Sequence, residues 1–265
     1  MTGGVLMANE GRFSKVELET VPRAAPAQEQ DAWPNLDEHG CVRMGDDEFQ
    51  QGLYDSALTS YSRALRFNRN LPSAWVGQIR CLICLGEYPE AVTWSDRALE
   101  RFKNNGDLLA CKGLSLVLRG DVMEGMEYMD GALEQRSATA WVWLARGEAL
   151  LAARQPEPNV NRCFLKAIEL AATAWEVELR VGMAYNRAKL YARSQPHLLS
   201  AIQKAPTNPL ALYHLGLAFE GLGDKRGAAG YYQRAITARR SFTEALTALE
   251  RVRKRGFFAT LRGKG

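Results

Sequence analysis

The chain has 265 residues, 46% of them hydrophobic, and a mean hydropathy of −0.27. That is enough apolar content for a sizeable core in a soluble protein, and no run of about 18 apolar residues exists to span a membrane. The formal net charge of +4 is unevenly spread: Arg251, Arg253, Lys254, Arg255, Arg262 and Lys264 contribute +6 with no acid among them, so everything before them carries −2.

Residues 1–35 show no sustained apolar period and are punctuated by Gly3-Gly4, Pro22 and Ala24-Ala25-Pro26-Ala27. Such a composition offers too little apolar surface to offset ordering entropy and predicts a disordered leader or linker. Met1 to Lys15 lacks a charged start followed by an apolar stretch and a small-residue cleavage site, so no secretory signal is read. Five cysteines without regular spacing predict free thiols in a reducing compartment, with the cytoplasm as the expected location.

A helical period begins near Leu36. Six dipeptides, Ala64-Leu65, Ala98-Leu99, Ala132-Leu133, Ala167-Ile168, Ala201-Ile202 and Ala235-Ile236, then recur at intervals of 34, 34, 35, 34 and 34 residues. A repeat of this length is one supersecondary unit, too small to bury its own apolar face and therefore stacked on its neighbours. The array spans 36–240, in units of about 38–71, 72–105, 106–137, 138–174, 175–208 and 209–240. Residues 241–255 carry Phe242, Leu246, Leu249 and Val252 at helical spacing and predict a capping helix, with Ser241 as N-cap and Glu244 completing a capping box. Residues 256–265 form a basic tail.

The residues inside each unit resemble the tetratricopeptide repeat, a helix-turn-helix with the pattern W-x2-L-G-x2-Y, then A-x3-F, then A and P. Gly45, Ala57, Tyr61 and Ala64 carry the resemblance in repeat one, and Trp75, Ala91 and Ala98 in repeat two. Gly182, Tyr185, Ala201 and Pro206 carry it in repeat five, and Leu212, Leu215, Gly216, Phe219, Ala228, Tyr232 and Ala235 in repeat six. The resemblance implies an all-α fold, a right-handed α-solenoid of six helix-turn-helix hairpins plus a C-terminal capping helix. Repeats three and four depart from the pattern. Lys112 takes a usually apolar position, and Gly125 replaces an alanine. In repeat four Trp141, Leu144 and Ala145 fit only if the preceding turn is two residues shorter, which leaves three extra residues in the central turn, Arg154 to Asn161, around Pro156 and Pro158. These repeats are expected to bend the array or to present a loop.

Candidate chemistry is sparse. Cys81 and Cys84 form a C-x2-C, but both fall inside one helix, where a disulfide cannot close, and no second ligand pair completes a zinc site. They are read as small packing residues, and no metal or other cofactor is expected. His39, His197 and His214 are scattered, Asp46, Asp47 and Glu48 read as a solvated helix face, and no hydrolase, phosphate-loop or metalloprotease motif occurs. The expectation is a noncatalytic protein. Trp94, Tyr128, Phe164, Tyr231 and Tyr232 are read as packing aromatics.

The resemblance further implies a concave groove lined by the first helix of each hairpin. It places Arg43, Asp46 and Gln50 there from repeat one, Arg80, Ile83 and Cys84 from repeat two, and Leu114 and Val117 from repeat three. Repeat four adds Trp143 and Arg146, repeat five Arg180, Asn186 and Arg187, and repeat six Tyr213, His214 and Glu220. Guanidinium groups grip carboxylates bidentately and aromatic rings supply flat anchors beside them. One expectation is therefore an interaction adaptor that holds an acidic or C-terminal segment of a protein partner, with Arg80, Arg146 and Arg180 as carboxylate contacts. The other is that these arginines are solvated or pair with acids on adjacent helices. The lysine and asparagine clamp by which some family members hold chaperone tails is missing, since Val42, Asp46 and Gly77 stand in its places. Two further classes stay open: an assembly factor that meets anionic lipid or nucleic acid through the basic tail, and an accessory subunit of an enzyme.

Overall fold

The structure, a computed structural model, describes residues 36–135 and 138–262, with side chains as far as Lys254. The leader expected at 1–35 and Lys264 lie outside the described residues. Among those described there are thirteen helices and no strands. They pair as α1 (Glu38–Gln50) with α2 (Tyr54–Phe67), α3 (Pro72–Leu85) with α4 (Tyr88–Arg101), and α5 (Gly106–Arg119) with α6 (Val122–Glu134). The pairing continues with α7 (Ala140–Ala152) and α8 (Glu157–Leu170), α9 (Trp175–Arg187) and α10 (Tyr191–Lys204), and α11 (Pro209–Gly221) and α12 (Lys225–Ala238). The last helix, α13 (Thr243–Arg262), covers the sixth hairpin with Ala245, Ala248, Leu249 and Val252 buried.

The alanines of the six dipeptides are all fully buried. They let the second helix of each hairpin lie close to its neighbours, where a larger side chain would force them apart. A second series has the same period. Each hairpin turns through one left-handed residue: Gly52, Gly86, Gly120, Arg154, Lys189 and Gly223, with φ between 54° and 117°. Left-handed backbone after a helix is where glycine is preferred, so Arg154 and Lys189 hold it at a cost.

This second series corrects repeat four. Arg154 follows Gly120 by 34 residues, so the turn before α7 is not shortened, and Gly147 stands 34 residues after Gly113. One extra residue falls between Arg154 and Ala167. The expected loop is helix from Glu157 onward, with Pro158 in its first turn, where a missing N–H costs nothing. In repeat three, Gly113 and Gly125 bring α5 and α6 backbone to backbone: a Cβ on Gly113 would lie 2.8 Å from the Gly125 carbonyl oxygen. Lys112 is accommodated by a 2.6 Å ion pair to Asp96 and a 2.6 Å hydrogen bond to the Tyr128 hydroxyl. The start of α13 is also corrected. The helix begins at Thr243, two residues after the expected Ser241 cap, and the Phe242 N–H bonds the Arg239 carbonyl.

The array closes on itself. The Asn208 side chain donates to the Gln50 carbonyl (3.1 Å), the Arg239 guanidinium donates to the Gln51 carbonyl (2.7 Å), and Gly52 abuts Leu210. Tyr54 packs against both the core of the first five hairpins and that of the last two. The first hairpin turn thereby meets the sixth repeat, and the concave face becomes the inside of a ring with a seam.

Candidate partner-binding cavity

Much of the ring interior is filled by its own side chains. The Arg80 guanidinium carbon lies 4.6 Å from the ring centroids of both Phe49 and Trp141, and that of Arg180 lies 5.8 Å from Phe49. Arg180 is 4% exposed and donates to Glu148 Oε1 at 3.1 Å and to Cys84 Sγ at 2.8 Å. Burial alone would lower the Arg180 pKa, but Cys84, Glu148 and Tyr54 together raise it, so the guanidinium stays charged. The other Glu148 oxygen accepts from Arg187 at 3.3 Å. One buried carboxylate thus faces two guanidiniums, and Arg187, its side chain 42% exposed, carries the surplus positive charge toward solvent.

Beside this cluster the seam holds a half-open cavity of about 760 Å³. Met183, Asn186 and Arg187 of α9 and Tyr213, His214 and Glu220 of α11 form one side. Gly52, Tyr54 and Cys84 from the first two repeats form the other, and Phe242, Glu244 and Arg251 border it at the final helix. The Asn186 amide donates to the His214 carbonyl at 2.8 Å, while Asn186 Oδ1 and His214 Nδ1 are buried without a hydrogen-bond partner. Burial, followed by the charges of Arg187 and Arg180, pushes the His214 pKa down to about 3, so its ring is neutral at physiological pH. Glu220 accepts two bonds from Arg251, at 2.9 and 2.7 Å, and one from the Tyr232 hydroxyl at 2.7 Å. The lining therefore offers the Arg187 guanidinium, a buried amide oxygen, a neutral imidazole and several aromatic faces, with the Glu220–Arg251 pair and the Glu244 carboxylate at the final-helix border.

Of the groove residues expected from sequence, Cys84, Asn186, Arg187, Tyr213, His214 and Glu220 come together in this cavity. Arg80 and Arg180 lie in the packed interior, and Arg43 is exposed on α1. Trp143 and Arg146 face elsewhere. Arg146 bonds Asp130 of α6 at 2.6 Å, repeating 34 residues on the Lys112–Asp96 pair, and Trp143 packs half-buried against the core. Sequence reasoning missed Glu148, which stands at the same repeat position as Arg80, because the displaced register of repeat four hid it. The parallel pairs of residues 96 with 112 and 130 with 146 carried the correct register in plain sight. In the tail, Arg251 is held by Glu220, Arg253 bonds Gln233 at 3.4 Å, and Lys254 lies 3.8 Å from Glu250. The side chains of Arg255 and Arg262 lie outside the described residues. Cys81 is buried, and no cluster of metal-ligating side chains occurs among the described residues.

A ring of stacked helical hairpins with a cavity at its seam is a repeat scaffold, a class that works by presenting surface to other molecules. Residues 42–106 and 179–241 match the family model described as tetratricopeptide repeat, so the chain carries tetratricopeptide repeats in both halves. Comparison with curated proteins gives no match. Among solved structures, a tetratricopeptide repeat protein from Parabacteroides merdae is 17% identical with a TM-score of 0.54, and the match covers 85% of this chain and 87% of that one. The human IFIT1 dimer with m7Gppp-AAAA is 17% identical with a TM-score of 0.57, over 76% of this chain and 50% of that one. These likenesses bear on fold alone. No described helix is long and apolar enough to cross a membrane.

Proposed function

We propose that this chain is a noncatalytic interaction adaptor that binds an acidic segment of a protein partner in the cavity at the seam. The observation that carries it is the cluster of Arg180, Glu148 and Arg187, in which two guanidiniums share one buried carboxylate and the surplus charge points into the cavity. A partner Asp or Glu beside Arg187 completes that balance in a site partly shielded from water, where charge pairing is worth more than on an open surface. An N–H of the partner meets Asn186 Oδ1, and an apolar side chain lies against Tyr213, Phe242 and Leu210. Stacked helical repeats build the extended concave surfaces that such binding uses, which agrees with this role.

The test is to pan a random peptide phage library against the purified chain and measure the affinities of the selected peptides by fluorescence anisotropy. The selected sequences should be acidic, and Arg187→Glu should weaken them by about tenfold or more, while Arg43→Glu on exposed α1 leaves them unchanged. Selected peptides without acidic residues, or an affinity indifferent to Arg187→Glu, contradict the acidic-segment role.

A further inference from the structure

We infer that the cavity is a closure-dependent site, with Asn208 and Arg239 as positioning residues that hold it together without touching the occupant. This rests on the proposed binding function for its biological meaning, but the closure itself is a property of the free chain.

The geometry has three parts. First, the cavity has two walls from opposite ends of the sequence. Gly52, Tyr54 and Cys84 belong to the first two repeats, whereas Asn186, Arg187 and Tyr213 belong to the last two. If the ring opens, the walls separate and an occupant keeps only one of them.

Second, besides the Arg180 contacts with Cys84 and Phe49 inside the ring, two side-chain bonds and a small apolar contact join the walls. Asn208 and Arg239 donate to the carbonyls of Gln50 and Gln51, the last residue of α1 and its C-cap. Helix C-termini leave carbonyls without intrahelical partners and carry partial negative charge, so an amide and a guanidinium there are well matched. Arg239 is itself held by the Phe242 ring, 3.8 Å from its guanidinium carbon. Leu210 against Gly52 and the buried face of Tyr54 supply the apolar part of the contact. A junction between elements distant in sequence opens more readily than the stacked hairpins on either side, each of which packs on its neighbours along its length.

Third, a reporter is built in. Cys84 lines the cavity and is only half-buried, whereas Cys41, Cys81, Cys111 and Cys163 are buried in the hairpin cores. Its sulfur accepts from Arg180 across the ring interior. In the closed ring the Arg180 bond and the cavity walls slow a thiol reagent at Cys84, so opening of the seam raises its labelling rate.

The experiment is native-state labelling of the full chain with Ellman's reagent, followed optically. The wild type should show one reactive thiol, lost in Cys84→Ala. The double variant Asn208→Ala, Arg239→Ala should label Cys84 faster by about tenfold, the size expected when two hydrogen bonds to a local opening are removed. Its far-UV circular dichroism should match the wild type. Arg239→Ala alone, which leaves the α11 cap intact, should give a smaller increase in the same direction and keeps the test valid if the double variant folds poorly. A Cys84 rate that is the same in the wild type and in Arg239→Ala overturns the assignment. The affinity of a phage-selected acidic peptide for the double variant should fall in step with the labelling rate, and an open ring that binds as tightly as the wild type overturns the dependence on closure. If no peptide binds the wild type, the binding function fails, while the labelling rates still decide whether these two residues hold the seam.

Discussion

Asn208 and Gln50, 158 positions apart, are joined by a hydrogen bond of 3.1 Å from the Asn208 side-chain amide to the Gln50 carbonyl. The same side chain serves its own helix. Its Oδ1 accepts from the Ala211 N–H at 2.8 Å, capping α11 while its Nδ2 caps the end of α1. One residue therefore starts the sixth repeat and fastens it to the first.

The two roles of Asn208 separate by substitution. Asn208→Asp keeps an N-cap oxygen but sets a second acceptor against the Gln50 carbonyl, whereas Asn208→Ala loses both bonds. Urea denaturation should show Asn208→Ala destabilised by about 1–2 kcal/mol, the usual cost of a lost cap, with Asn208→Asp closer to wild type. Ellman's reagent should nevertheless label Cys84 faster in both. A Cys84 rate in Asn208→Asp equal to the wild type would contradict the part given to the Gln50 bond.

The close approach of α5 and α6 makes Gly113 intolerant of any side chain. A Cβ there meets the Gly125 carbonyl oxygen at 2.8 Å and Met129 at 3.1 Å, and backbone cannot swing aside as a side chain can. Gly113→Ala should cost roughly 2–3 kcal/mol as an overpacking strain, read as a lower urea midpoint. Gly131→Ala on α6, with nothing within 4 Å, should be neutral or slightly stabilising.

Lys189 and Arg154 occupy left-handed positions that glycine fills in the other four hairpins. Lys189→Gly removes the steric penalty but adds freedom to the unfolded chain, and the first effect is larger. The variant should gain on the order of 1 kcal/mol, measured by the same denaturation.

Stability should fall on mild acidification. His214 has a folded pKa of about 3, below its unfolded value, so between that value and about pH 6.5 the unfolded chain binds a proton that the folded chain refuses. The contribution is present above the unfolded pKa and is lost as pH falls through this window. Glu178, whose pKa is lowered by its bonds to His197 and Ser200 against the opposing effect of burial, adds in the same direction at lower pH. Urea unfolding at pH 7 and pH 5 should differ by about 2 kcal/mol for this histidine, and His214→Gln should reduce the difference.

The period of the dipeptides marked the second helix of each hairpin, because alanine at a helix contact is a local steric demand that each repeat meets alone, but it left the first helix of repeat four two residues out of register. Closure was not legible. The bonds from Asn208 and Arg239 end on backbone carbonyls, which have no sequence signature, and the small rotation per repeat that brings the ends together adds up across the array. The same limit explains the divided fate of the groove residues. Arg180 and Arg187 look alike as letters on α9, yet one lies buried across the ring and the other opens into the cavity. Glu148, the carboxylate between them, went unread because repeat four was aligned on Trp141 when Gly147 and Arg154 held the true register.

The central claim, that a partner segment sits in the seam cavity, is tested most directly by methyl NMR on methionine-labelled protein. Met183 lines the cavity, while Met123 is 81% exposed on α6, far along the chain from it. Titration with a phage-selected acidic peptide should shift the Met183 methyl saturably and leave Met123 in place. Saturable binding that leaves Met183 unmoved would contradict the account.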